Sequence, residues 1–238
     1  MSVLKRRHQQ AFTHAQKQGP KKIARNVTLM DVVPSRQSST NQQAIRIGGW
    51  ANPTRGGELK FIDTQITTNP VVNSITFATG VLLNGIANGS DASTRIGRKV
   101  TIKSLLLRWS VKLDPTTTGG GNLRILIVYD KQANAVAPAI TDILLTNDFH
   151  SPNNLSNRDR FVTICDVVTD PIAVQGEYSA ADVVYKKLNL EEMFNAGSAG
   201  TIGDITSGSI YFFVAQNGGM LIAAPDFRAD ARIRYTDV

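Results

Sequence analysis

The chain has 238 residues, of which 42% are hydrophobic, so it is long enough to fill the core of one large β-domain or two small ones. Its single cysteine, Cys165, excludes an intrachain disulfide and a cysteine-based zinc site, and we expect it in a strand core. No apolar run approaches the roughly 18 residues that span a membrane, so no membrane partner is expected.

The formal charge of +7 is concentrated at one end of the chain. Residues 1–25 carry seven of the 26 Lys and Arg residues and no Asp or Glu, which leaves 19 basic against 19 acidic residues in the rest. A basic arm on a neutral body favours a polyanionic partner, because each neutralised phosphate releases condensed counterions. We therefore predict that the arm binds nucleic acid through phosphates; a solvated tail is the alternative. Its predicted contact residues are Lys5, Arg6, Arg7, Lys17, Lys21, Lys22 and Arg25.

The arm is also predicted to be disordered, because residues 1–25 are rich in Gln, Lys and Arg and poor in apolar groups. Its basic clusters are equally typical of a nuclear-import signal, which would add a host import receptor as a partner. Residues 26–57 are predicted to be an extended linker, since they combine Pro34, a Ser-rich stretch and several glycines.

Eight strand candidates follow within a predicted β-domain over residues 58–238. They are 59–66, 74–83, 99–113, 123–130, 160–168, 183–190, 210–216 and 227–236. In the second candidate, one face would carry Ile75, Phe77, Thr79 and Val81. In the last, the buried face would carry Phe227, Ala229, Ala231, Ile233 and Tyr235, and the opposite face Arg228, Asp230, Arg232 and Arg234. The fourth and seventh are apolar on both faces, which is typical of central strands covered on both sides.

The candidate at 99–113 changes its apolar parity after Ser104. One extra residue near Lys103–Leu105 would reconcile the two halves, which predicts a β-bulge; burial of Leu105–Leu107 on both sides explains the pattern equally well. Helix signals are weak: Ile140–Leu144 allows two turns and Leu190–Phe194 allows one.

The connections from 83 to 99 and from 130 to 160 are too long for hairpin turns. Connections of this length cross between sheets in Greek-key and jelly-roll topologies, so we predict an all-β sandwich. The second of them contains an oxygen-rich segment, 147–159, that suits calcium or Asx turns equally well. Within it, Arg158-Asp159-Arg160 is predicted to form an ion-pair network that fixes a loop or an interface.

A second basic stretch lies between Asp91 and Asp114 and contains no acid. Its cations are Arg95, Arg98, Lys99, Lys103, Arg108 and Lys112. We predict a second nucleic-acid surface here, with Arg98, Lys99 and Lys103 as its contact residues. A charge-guarded edge strand, or ion pairs to a neighbouring subunit, is the alternative.

Motifs for enzymatic chemistry are lacking in the sequence. Gly119-Gly120-Gly121 is not followed by the Gly-Lys-Ser/Thr of a phosphate-binding loop, and there is no Gly-x-Ser-x-Gly elbow and no metal-ligand spacing. We therefore predict no enzyme, no catalytic residue, no cofactor and no bound metal.

Three segments together resemble the coat proteins of small circular single-stranded DNA viruses. They are Arg95-Ile96-Gly97-Arg98-Lys99-Val100-Thr101-Ile102-Lys103-Ser104, Val128-Tyr129-Asp130-Lys131-Gln132 and Asn157-Arg158-Asp159-Arg160-Phe161, in the order and at about the spacing of that family. Such proteins are similar in fold to the satellite-necrosis type of coat. Because Cys165 is the one cysteine here, the Cys/His cluster of many geminivirus coats is missing, which favours an unclassified relative.

The resemblance implies an eight-stranded jelly roll of which about sixty copies close an icosahedral shell. It further implies that the packaged polymer is single-stranded DNA, and that the protein is found in the virion and, during infection, in the host nucleus. Two alternatives stay open. One is the coat of a small single-stranded RNA or satellite virus, since charge does not distinguish DNA from RNA; the other is a non-viral β-sandwich binding module with a basic tail.

Overall fold

The computed structural model describes residues 58–69, 75–112, 122–170, 172–174, 177–217 and 226–237. The predicted arm and linker, residues 1–57, lie outside these ranges. The strands are β1 (Leu59–Ile66), β2 (Val81–Leu82), β3 (Lys99–Lys112), β4 (Asn122–Asp130), β5 (Phe161–Thr169), β6 (Ile172–Val174), β7 (Glu177–Phe194), β8 (Ile205–Ser207), β9 (Ser209–Asn217) and β10 (Asp226–Asp237). Short helical turns lie between them: α1 (Ile140–Ile143) and two 3₁₀ turns, Leu155–Asn157 and Ile202–Asp204. Among the described helices, none has the length and apolar character needed to cross a membrane.

The strands form two antiparallel sheets. The larger has the order β1-β10-β3-β7-β6 with β8 beside β7, and the smaller has the order β2-β9-β4-β5. Apart from the short β6 and β8, the strands pair first with last, second with second-last, and so on inward to β4 with β5. The chain is thus one long hairpin, rolled so that β10 also meets β3 and β9 also meets β4. This pairing defines a jelly-roll sandwich and confirms the predicted fold class.

The smaller sheet is covered on both faces. Leu123, Ile125 and Ile127 of β4 pack in the core between the two sheets. Leu126 and Val128 face the other way, into a second apolar cluster that also contains residues of α1 and Phe149. The two-sided burial predicted for the middle of β4 and β9 is therefore confirmed, and the segment 131–160 supplies the second cover.

Two predictions about β3 and β10 are confirmed. Alternate residues of β10 from Phe227 to Tyr235 are buried, and the residues between them are exposed. Arg234 pairs with Ser104, whereas the next residue, Tyr235, pairs with Ile102, so Lys103 is the extra residue of a bulge. The bulge, and not burial on both sides, explains the parity change, because Leu106 stays partly exposed.

The prediction that residues 131–160 cross between the sheets is wrong, since β4 and β5 are neighbours in one sheet. The segment leaves that sheet, covers its outer face and returns to it. Residues 83–98 do carry the chain from one sheet to the other, as predicted. The two ends of segment 131–160 are held together by an ion pair. Arg160, its last residue, donates to both carboxylate oxygens of Asp130, the last residue of β4, at 2.8 and 2.7 Å.

The strand predicted at 74–83 is wrong over most of its length, because among its described residues, 75–83, only Val81 and Leu82 form a strand, β2. Phe77 and Ala78, which are adjacent, are both buried. The backbone N–H of Phe77 donates to the Asn147 side chain at 2.8 Å, and the carbonyl of Ile75 accepts from Phe149 at 2.7 Å. Ile75 and Phe77 therefore bond to segment 131–160, whereas the next backbone N–H, that of Ala78, donates to the Val214 carbonyl of β9 at 2.9 Å. The helical turn predicted at Leu190–Phe194 is also wrong, since those residues continue β7, while the predicted helix near Ile140 is confirmed as one turn.

Candidate nucleic-acid interface

The solvent side of the larger sheet gathers basic residues from three strands. Alternation in β10 directs its arginines away from the core, and the register places Arg232 opposite Leu106 and Arg234 opposite Ser104. The basic residues of this surface, which we name the basic sheet face, are Lys99, Lys103, Arg108, Lys112, Lys187, Arg228, Arg232 and Arg234. Among the side chains that the structure describes, its acidic residues are Asp63, Glu191 and Asp230, so positive charge is in excess.

Two of the three acids are paired with cations of the same face. Arg232 donates through Nε and Nη2 to both oxygens of Asp63, each at 2.6 Å, and this hydrogen bonding lowers the pKa of Asp63. Lys99 lies 2.8 Å from Glu191. Phe61 packs beneath the Arg232 guanidinium, 4.9 Å from ring centroid to Cζ. These pairs fix the orientation of Arg232 and Lys99 and reduce the charge that they offer to a ligand.

Three other cations are not held in ion pairs, although the third acid, Asp230, lies opposite Arg108 in the register of β3 and β10. Arg108, Lys187 and Arg234 form no ion pair within the described part of the chain. Arg108 lines a depression of about 320 Å³ on this face, together with Asp63, Leu106, Asp230, Ala231 and Arg232. Solvated, unpaired cations along a sheet are the groups that bind phosphates without reading a base sequence.

The cations predicted from the sequence at 95–112 do not all reach this surface. Lys99 and Lys103 lie on it, and Lys103 Nζ is 3.4 Å from the Asn189 side-chain oxygen. Arg98 is exposed immediately before β3. Arg95, in contrast, is 1% exposed and cannot meet a ligand.

The guanidinium of Arg95 has a structural role. It donates to the carbonyls of Ile86, Gly97 and Gly197 and lies over the Phe194 ring, 3.9 Å from its centroid. It therefore ties two loops to the end of the sandwich.

The sequence did not place Lys187 or the β10 arginines on a candidate nucleic-acid surface. The alternation of β10 predicted its exposed face, but it did not predict which strands lie beside β10. Lys187 joins the face through the pairing of β7 with β3, which is a contact between distant segments. The predicted contact residues of the arm lie in 1–25, outside the described residues.

The oxygen-rich segment 147–159 uses its side chains in turns. Asp148 accepts from the His150 backbone at 2.7 Å, and Asn154 accepts from the Ser156 backbone at 3.1 Å. These Asx turns account for the composition. Over the described residues, no group of three His, Cys, Asp or Glu side chains is arranged to hold a metal ion.

A jelly roll that presents a basic sheet face has the features of a viral coat protein. Comparison with protein families identifies the kind of coat: the family described as "Satellite tobacco necrosis virus coat protein" matches residues 57–238. This chain belongs to that family and is a structural protein of the virion. The coat protein of Maize white line mosaic Satellite virus is 25% identical over 184 residues, which cover 76% of this chain and 83% of the relative.

Two solved viral structures overlap with this chain at a TM-score of 0.22. The structure of infectious bursal disease virus Gx strain shares 10% identity and is matched over 76% of this chain but 30% of its own length. The structure of a marine algae virus of the order Picornavirales shares 13% identity over 77% of this chain and 69% of its own. The fold assignment rests on the strand pairing and not on these overlaps.

Proposed function

We propose that this chain assembles with copies of itself into a small icosahedral shell and packages single-stranded RNA inside it. The observation that carries the proposal is a sheet face of a coat-family jelly roll on which Arg108, Lys187 and Arg234 form no ion pair within the described residues. A shell of about sixty copies is the form that the sequence resemblance implied. In this arrangement the basic sheet face lines the lumen of the shell.

The resemblance of the sequence implied DNA as the packaged polymer. We propose RNA instead, because the matching family and the matching relative are coats of satellite viruses. The resemblance to circular DNA virus coats rested on three short segments within 95–161. Two of these segments meet at the Asp130–Arg160 ion pair, which is a structural contact and says nothing about the packaged polymer. Nuclear import stays a prediction from the arm's basic clusters, and these matches give it no support.

The two charged elements would act together. The arm residues Lys5, Arg6, Arg7, Lys17, Lys21, Lys22 and Arg25 contact phosphates through reach and charge. The basic sheet face, which includes Lys99 and Lys103 and is extended at one end by Arg98, supports the RNA against the wall of the shell. Both contributions weaken with salt, because each phosphate contact releases counterions.

Neutralising the sheet face tests the proposal. The variant Arg108→Gln/Arg234→Gln in the full chain is expected to reduce the slope of log affinity for single-stranded RNA against log salt by about 1.4, or about 0.7 per lost phosphate contact. Arg158→Gln is the matched control, because Arg158 is 73% exposed but lies on segment 131–160, away from this face. Equal slopes for the double variant and the wild type would contradict a role for the face.

Assembly and the arm are tested on the same preparations. Electron microscopy and light scattering of the full chain are expected to show uniform particles that contain RNA. Replacing the seven basic arm residues by Gln is expected to give particles with little RNA, measured by the ratio of absorbance at the nucleic-acid and protein maxima. A wild-type chain that stays monomeric at every salt concentration, with or without RNA, would favour the binding-module alternative.

A further inference from the structure

Tyr185 of β7 is the unusual aromatic residue of the basic sheet face. Its side chain is 62% exposed, whereas Tyr129, Tyr211 and Tyr235 are buried. Val183, two residues along the same face, is 55% exposed. A large exposed aromatic ring on a folded domain indicates a surface that meets a partner.

The neighbours of Tyr185 indicate which partner. Tyr185 pairs directly with Leu106 across the strands, so Arg108 is its diagonal neighbour, and Lys187 is two residues away on the same face. Diagonal neighbours on a sheet lie about 7–8 Å apart, within reach of long side chains. Since neither Arg108 nor Lys187 is ion-paired within the described residues, the ring lies between two available cations.

The outer side of β7 is open at this point. Strand β6 pairs with residues 177–179 of β7, and β8 pairs with Met193 and Phe194. Among the described strands, none pairs along the outer side of the stretch between these ends, which holds Tyr185. A linear polymer can therefore approach the ring from the sheet face or across its edge.

Resting on the proposed function, we propose that Tyr185 is a stacking platform for an unpaired nucleobase, with Arg108 and Lys187 binding the adjoining phosphates. An aromatic face flanked by cations is the arrangement by which proteins hold single strands without reading their sequence. Bases in a duplex are already stacked and cannot meet the ring. The basic sheet face therefore prefers unpaired RNA over double-stranded segments.

The test compares two probes on the full chain. One is a labelled twelve-nucleotide RNA without self-pairing, and the other is a duplex of the same length. Tyr185→Ala is expected to weaken single-strand binding about tenfold and to leave duplex binding unchanged, while Tyr185→Phe binds both probes as the wild type does. Val183→Ala is the matched control, because it removes an exposed apolar neighbour without removing a ring.

Fluorescence gives a second readout. Tyr185→Trp places an indole at an exposed position, whereas Trp109 is buried. The emission that the variant gains over the wild type, whose own tryptophans are Trp50 and Trp109, is expected to be quenched by the single strand and not by the duplex.

Several results would overturn the inference. Equal losses on both probes, or no loss in Tyr185→Ala, would show that the ring does not stack on bases. Failed particle assembly with intact RNA binding would make Tyr185 a contact between copies of the chain. If the wild type bound neither probe, the proposed function itself would fail.

Discussion

Replacing Arg160 by Met is expected to lower the free energy of unfolding by about 3 kcal/mol. Asp130 is 1% exposed, and its carboxylate accepts from the Arg160 guanidinium and, at 2.9 Å, from the Gln132 backbone. Without the guanidinium, a buried carboxylate stays behind where segment 131–160 leaves and rejoins the sheet. The measurement is the urea midpoint of the full chain at a concentration where light scattering shows no association.

The chain offers a matched control in Arg232→Met. Arg232 and Asp63 form the same two-bond geometry, at 2.6 Å for both bonds, but their side chains are 45% and 50% exposed. Solvent screens such a pair, so the urea midpoint is expected to stay close to that of the wild type. Asp130→Asn combined with Arg160→Met is expected to recover part of the loss, because no buried charge remains. Similar losses for the two single variants would refute the role assigned to burial.

The sequence predicted the strands whose side-chain pattern reflects a single environment on each face. In β10, small and apolar residues alternate with charged ones, and this alternation predicted its buried face correctly. In β4 and β9, apolar residues on both faces indicated cover on both sides. The bulge at Lys103 was predictable from the change in apolar parity, because one extra residue exchanges the two faces of a strand.

The strand β7 was underpredicted because its inward positions carry polar residues. Asp182 and Lys186 lie on the same side as the core residue Val184 but remain exposed. Their charges hide the alternation, so the prediction kept 183–190 of a strand that runs from Glu177 to Phe194. Apparent alternation misled in the opposite way at Ile75–Val81: only Val81 of these residues lies in a strand, and the backbones of Ile75 and Phe77 bond to segment 131–160.

The sequence predicted that the candidate site is positively charged, but not which residues form it. Charge counting found the cations of β3 without the structure. It could not show that Arg95 is buried or that Arg108 shares a face with Lys187 and Arg234, since these facts depend on the pairing of β3 with β7 and β10. Local sequence records which residues are charged, while long-range pairing decides which charges act together.

Glu192 of β7 couples the stability of the sandwich to pH. Its side chain is fully buried, and neither carboxylate oxygen has a hydrogen-bond partner within the described residues. Burial raises the pKa of Glu192 well above its usual value, and the nearby Asn84 and Arg95 offset only part of that effect. The folded chain therefore keeps a proton that the unfolded chain releases near pH 4.5. Stability consequently falls as the pH rises from the unfolded pKa to the folded one.

Glu192→Gln keeps the shape of the side chain and removes its titration. The variant is expected to match the wild type below the unfolded pKa and to become more stable above it. The difference grows by up to about 1.4 kcal/mol per pH unit until the folded pKa is reached. Urea unfolding at a series of pH values measures this difference. The neighbouring Glu191→Gln is the control, because it makes the same replacement at a side chain of β7 that is 63% exposed. A gap between Glu192→Gln and wild type that is constant with pH would mean that Glu192 is ionised in the folded chain.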